Sequence, residues 1–213
     1  VSRSGAFAAA IQRAEMLVQR GGRILGIAGA PGAGKSTLVS ELLDHFGRGA
    51  AVLPMDGFHL ANAELARLGL ADRKGAPETF DADGYVAALS RVRARRADVL
   101  VPAFNRSIEE SLAGALRIAA DVPLVITEGN YLLLQVRPWD QVRELCDETW
   151  MVSVEAAVRR ERLVARHVRF GRSPTEAAEW VARSDEANAA LIARASAAAD
   201  WVFEESARKL TDW

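Results

Sequence analysis

Short apolar runs alternate along the chain with longer stretches in which apolar residues return every three or four positions. The runs at 24–28, 51–55, 123–127, 149–154 and 201–203 have strand length and predict five strands. Helical spacing predicts helices over 36–46, 82–95, 141–146, 155–170 and 174–195. Near the start, Phe7, Ile11, Ala14 and Val18 fall on one face and predict a further helix packed on the sheet. Alternation of this kind predicts an α/β domain with a mostly parallel sheet, and right-handed crossovers place helices on both of its faces. Ligands then bind at the carboxyl ends of the strands. One helix start is marked by Ser173-Pro174-Thr175-Glu176, a cap residue followed by Pro at the first helical position and Glu at the third.

At 213 residues, half of them apolar, the chain predicts one domain over 1–213 with a substantial core. The formal net charge of −1 argues against nucleic acid or an anionic membrane as partner. The five tryptophans, Trp139, Trp150, Trp180, Trp201 and Trp213, are spread as packing residues and not as a stacking platform. Cys146 has no partner for an internal disulfide, which suits a reducing cytoplasm, and reads as a small buried apolar residue. No apolar run reaches the ~18 residues of a membrane span. Arg13, Glu15 and Arg20 interrupt the first apolar residues, unlike a signal peptide.

The segment Gly29-Ala-Pro-Gly-Ala-Gly-Lys35-Ser36-Thr37 fits the phosphate-binding pattern G-x-x-x-x-G-K-[ST] without a mismatch. Gly29, Gly32 and Gly34 let the backbone around Ala33 turn tightly and aim its N–H groups at an anion, with a helix N-terminus behind them. Lys35 reaches the β- and γ-phosphates of ATP, the Ser36 hydroxyl serves Mg²⁺, and Thr37 completes the cradle. A strand before the loop and a helix after it are the context this motif requires.

Two acids close predicted strands. Asp56, in Met55-Asp56-Gly57-Phe58-His59, is placed to accept a proton from an attacking hydroxyl or to help hold Mg²⁺, although a plain turn Asp is the alternative. Glu128, before Gly129, occupies the position of a direct or indirect Mg²⁺ partner. Arg159, Arg162, Arg166 and Arg169 recur on one helical face with few acids nearby in sequence, and Arg172 follows. They predict a lid segment at about 159–175 that supplies positive charge in the transition state, Arg162 and Arg166 foremost. Two polar loops, 72–81 and 102–107, offer Arg73, Lys74 and Arg106 for an anionic group, and Asn105 and Glu109 for hydroxyls. His59 reads as a structural or substrate-contacting residue.

Taken in order, the phosphate loop, Met-Asp-Gly-Phe, Pro-Glu-Thr-Phe-Asp, Pro-Ala-Phe-Asn, Glu-Gly-Asn-Tyr and the Arg-rich segment resemble the uridine kinase, pantothenate kinase and phosphoribulokinase group of P-loop kinases. The resemblance runs from about Ile24 to Asn188, and the nearest likeness is to bacterial proteins named fructose transport system kinases. It implies a P-loop NTPase fold, a three-layer α/β/α sandwich on a five-stranded sheet. It also implies Asp56 as catalytic base, Lys35 and Ser36 as phosphate and Mg²⁺ residues, and Glu128 as the second acid. Arg162 and Arg166 match lid arginines. Glu78, in Pro77–Asp81, and Phe104 with Asn105 border the acceptor site it implies; Phe58, His59 and Tyr131 complete the substrate-side set. Nucleoside kinases of the group carry a His about where Glu109 stands here.

These readings predict an ATP- and Mg²⁺-dependent kinase acting on a hydroxyl of a small polar acceptor, a fructose-like sugar foremost and a uridine-type nucleoside or pantothenate as alternatives. A homodimer fits the group. An ATP-binding regulatory module without an acceptor stays open on the residues alone.

Overall fold

The computed structural model describes residues 3–205; Trp213 lies outside the described residues. Five strands, β1 (Ile24–Gly29), β2 (Ala50–Pro54), β5 (Leu124–Gly129), β6 (Glu148–Ser153) and β7 (Trp201–Glu204), form one parallel sheet in the order β2-β5-β1-β6-β7. Helices cover both faces, as the alternating pattern requires. On one face Leu25, Ile27, Ile126, Trp150 and Phe203 pack against α1 (Arg3–Gln19) and α2 (Lys35–Phe46). On the other, Ile24, Ala28, Val125 and Met151 join residues of α4 (Ala82–Ala94), α5 (Asp140–Leu145) and α8 (Glu186–Ala195). Successive strand residues thus point to opposite cores, which is why these runs read as continuously apolar. The buried face of α1 is Phe7, Ala10, Ala14 and Leu17; Ile11 and Val18 flank it, so the face is turned slightly from the expected one.

Two further features depart from the expected elements. The segment 102–107, expected as a loop, belongs to an antiparallel hairpin of β3 (Val99–Asn105) and β4 (Glu110–Ile118), with Glu109 at φ 53° in its turn. The helix expected over 174–195 is interrupted. It comprises α7 (Pro174–Trp180), a π-helical turn at Val181–Asp185 and α8. The box at its start forms as expected: the Ser173 hydroxyl accepts from Glu176 N–H, and the Glu176 carboxylate accepts from Ser173 N–H. A short helix, α3 (Asn62–Leu68), and α6 (Ala156–Arg169) complete the set. Cys146 is buried and its thiol is pushed up to about 12 by that burial, so it is an unreactive core group. Among the described residues no helix is long and apolar enough to cross a membrane.

Candidate active site

Strand order brings the chemistry together. β5 lies between β1 and β2, with Glu128 opposite Ile27 on one side and Pro54 on the other. The loop after β1, the turn after β2 and the end of β5 therefore open side by side at the carboxyl edge of the sheet. The first carries Lys35, the second Asp56, the third Glu128 and Asn130. On the far side of β1, the chain leaving β6 enters α6, and the chain leaving β7 reaches Glu205.

These segments enclose a cavity of about 460 Å³ at the start of α2. Lys35 is nearly buried, and its Nζ donates to Gly29 O at 2.8 Å, Ala30 O at 3.3 Å and Asn130 Oδ1 at 2.7 Å. Burial lowers its pKa, while Glu128 and Asp56 act in the opposite direction. Two glycines of the loop stand at positive φ, Gly32 at +78° and Gly34 at +97°. A Cβ at Gly32 would sit 3.0 Å from Arg159 O, and one at Gly34 would overlap the Glu205 carboxylate. Only glycine fits where α6 and the end of β7 press on the loop.

Asp56 lies in a single 3-10 turn at Met55–Phe58, its carboxylate paired with Arg106 at 3.1 Å. Glu128 faces it. Burial raises the pKa of Glu128 to about 7, and the Asp56 charge adds to the rise. His59 Nδ1 donates to Asp56 O at 2.8 Å, and burial lowers its pKa. The neutral ring then presents Nε2 as an acceptor, held between Phe80 and Phe104 at 4.0 and 4.7 Å between ring centres.

The residues expected from sequence divide by position. Gly32, Gly34, Lys35, Ser36, Thr37, Asp56, His59, Lys74, Arg106, Glu128, Arg162 and Arg166 line the cavity. Gly29 contributes its carbonyl to Lys35. Arg73 pairs with Glu78 at 2.6 Å and lines an adjoining cavity with Arg183 and Asn188. Lys74 donates to Asn62 Oδ1 and to the carbonyl of Glu109 at 2.7 and 2.6 Å. Its ammonium lies 5.2 Å over Phe104, and Arg106 lies 5.9 Å over the same ring. Asn105 is spent on the hairpin turn, accepting from Ser107. Phe58 and Tyr131, expected beside the acceptor, are core residues instead; the Tyr131 hydroxyl donates to Gly75 O at 2.5 Å and so fixes the segment that carries Lys74.

The arginine stripe also finds acids from afar. Arg159 is buried and bonds Glu186, Arg162 bonds Glu205 at 2.5 Å, and His167 meets Asp185 at 2.9 Å. Arg166 reaches the cavity; burial lowers its pKa and Arg106 adds to the fall, while Asp185, Asp56 and Glu109 act in the opposite direction. Trp180, Ser184, Asp185 and Asn188 extend this wall well past residue 175. The π-helical turn, which carries an extra residue per turn, places Ser184 and Asp185 there. Of the cavity residues, Asn130 belongs to the Glu-Gly-Asn-Tyr motif, whereas Glu205, Asp185 and Trp180 carry no signal in sequence.

The donor set suits a nucleotide with a divalent cation. A positive-φ loop ahead of a helix N-terminus accepts phosphates. Two neighbouring carboxylates, one with its proton affinity raised, favour a cation between or beside them. Among the described residues no group of three or more His, Cys, Asp or Glu could hold a metal alone. Mg²⁺ needs only one or two carboxylates besides waters and substrate phosphates. Such an ion, when bound, would supply positive charge against the charge that develops on the phosphates.

The raised pKa of Glu128 makes a stability prediction. Its folded value of about 7 lies above the ordinary 4.5. Stability from the protonated form is complete below 4.5 and is lost as pH rises through about 7. Glu128→Gln should therefore raise the thermal midpoint at pH 8, by on the order of 5 °C, and change it little at pH 4. Equal shifts at the two pH values in a calorimetric melt would contradict this.

Relatives agree with the geometry. No protein-family model matches the chain. It is 36% identical to the "Uncharacterized protein YggC" of Escherichia coli K12 over 82% of this chain and 74% of that protein. It is 33% identical to the "Putative uridine kinase C227.14" of Schizosaccharomyces pombe over 90% of this chain and 86% of that protein. A crystal structure from Silicibacter sp. TM1040, described as a "putative fructose transport system kinase", superimposes with a TM-score of 0.77 at 34% identity, covering 92% and 98% of the two chains. The chain belongs to the P-loop kinases of the uridine kinase, pantothenate kinase and phosphoribulokinase group, and it is an ATP-dependent phosphotransferase.

Proposed function

We propose that this protein transfers the γ-phosphoryl group of Mg·ATP to a hydroxyl of a small polar acceptor, a fructose-like sugar. The observation that carries the reading is the meeting of Lys35, Asp56 and Glu128 in one cavity at the start of α2. The loop 29–37 cradles the phosphates through its N–H groups, and Lys35 holds the transferring end. Ser36, Glu128 and Asp56 are the groups for the cation. Asp56 orients the acceptor hydroxyl and takes its proton, while Arg162 and Arg166 offset charge on the phosphoryl group from the lid. The walls beside Asp56 are polar: the His59 acceptor nitrogen, Lys74 and Arg106 suit a compound bearing several oxygens. The Silicibacter protein's description supports a sugar, and Glu109 in place of the nucleoside kinases' His speaks against a nucleobase. The Schizosaccharomyces relative's description favours uridine as the second reading. We place the reaction in the cytoplasm.

The test is ADP release with Mg·ATP across fructose and other sugars, sugar phosphates, uridine, cytidine, pantothenate and glycerate. A rise with a sugar supports the proposal. A rise confined to uridine or pantothenate would replace the acceptor and keep the kinase. Acceptor-independent hydrolysis, or tight ATP binding without turnover, would favour a regulatory module.

A further inference from the structure

Glu205 follows β7 directly, and its N–H donates to Ser153 O at 2.9 Å, carrying the edge pairing into the cavity wall. Its side chain is 6% exposed, and Oε2 accepts from Arg162 Nη1 at 2.5 Å. The carboxylate carbon stands 2.8 Å from where a Cβ of Gly34 would be. A negative charge therefore rests on the phosphate-binding loop, with the lid arginine as its counter-ion. The other ion pairs of α6 run to α8 and the π-helical turn: Arg159 and Arg160 to Glu186, His167 to Asp185. Among the described residues, Arg162–Glu205 is the ion pair that ties α6 to the end of the sheet.

A carboxylate is the wrong charge for a loop that binds phosphates. Helix N-terminus and lysine attract an anion there, and a second anion beside it is repelled. Phosphate and carboxylate also compete for the same guanidinium. We infer that Glu205 is a positioning residue: it holds Arg162 at the rim of the loop in the nucleotide-free protein and yields it to the phosphates when a nucleotide seats. The inference rests on the reading of 29–37 as the nucleotide site. It has a distinctive sign. A glutamate that bound the ribose hydroxyls would strengthen nucleotide binding, whereas a counter-ion that must surrender its arginine weakens it.

Calorimetric binding of ADP to the wild type, Glu205→Gln, Arg162→Gln and the double variant tests this. Glu205→Gln keeps the shape and removes the charge. It should bind ADP about fivefold or more tightly than wild type, the low end of couplings between linked sites. The gain should shrink at high salt. The effects of the two substitutions should not add, since the residues act as a pair. Glu205→Asp, which withdraws the carboxylate by one methylene, should move affinity the same way by less, and it serves if the Gln variant fails to melt cooperatively. Unchanged or weaker ADP binding in Glu205→Gln overturns the inference, and additive effects remove Arg162 from it. Absence of ADP binding by the wild type would be a different failure, that of the nucleotide site, and would take the inference with it.

Discussion

Replacing Asp56 by Ala is expected to cut turnover at least ~10²-fold, the low end for loss of a general base, while leaving ATP affinity within a few-fold of wild type. The split follows from position. Asp56 stands on the turn after β2, across β5 from the loop that holds the phosphates, and the hydrogen bonds of Lys35 Nζ run to Gly29, Ala30 and Asn130 and not to Asp56. Its carboxylate is one-third exposed toward the cavity and paired with Arg106, so its direction is set before any acceptor arrives. Removing it takes away the group that orients and deprotonates the hydroxyl and leaves the phosphate cradle intact. Asp56→Asn should fall nearly as far, because the amide keeps the shape and cannot take the proton. Turnover within a few-fold of wild type in either variant, measured as steady-state ADP release with the best acceptor, would remove Asp56 from the mechanism.

The second large effect belongs to Lys35. Lys35→Met should lower turnover by roughly 10²–10³-fold, as loss of one preorganised charge in a water-poor site does. It should also weaken nucleotide binding. The ammonium is held by three oxygens from the loop and from Asn130, so it is aimed before a nucleotide binds and needs no reorganisation during transfer. Methionine fills much the same volume, which keeps the loss electrostatic and not a matter of packing. Asn130→Ala would release one of the three oxygens, and its smaller effect in the same assay would locate how much of the lysine's action depends on aim. A Lys35→Met variant with wild-type kcat would contradict the assignment.

The parts of this architecture legible in sequence are those written in local pattern. All five sheet strands, the phosphate loop, the acids closing β2 and β5, and the cap at Ser173 follow from runs of apolar residues and short motifs. The β3–β4 hairpin escaped because most of β4 is exposed or half-buried, so it carries no apolar alternation, and because Pro102 and the turn residues after Asn105 resemble loop. The π-helical turn escaped for a related reason: Val181–Asp185 contains neither Gly nor Pro, and its extra residue is imposed by packing. The electrostatics of α6 were hidden by distance. Glu186, Asp185 and Glu205 lie 27, 18 and 43 residues from the groups they meet, so local sequence around the stripe does not contain its partners. Phe58 and Tyr131 show the converse. Their sequence neighbours His59 and Asn130 line the cavity, but a motif does not say whether a ring faces the cavity or the core beneath it.

Transfer itself is the most direct thing to measure. ATP labelled in its γ-phosphoryl group, incubated with Mg²⁺, fructose and the wild-type protein, should yield label on a hydroxyl of the sugar in step with ADP. The Asp56→Ala variant should yield almost none. Label recovered only as inorganic phosphate, at the same rate in both proteins, whichever acceptor is supplied, would contradict phosphoryl transfer to an alcohol at this site.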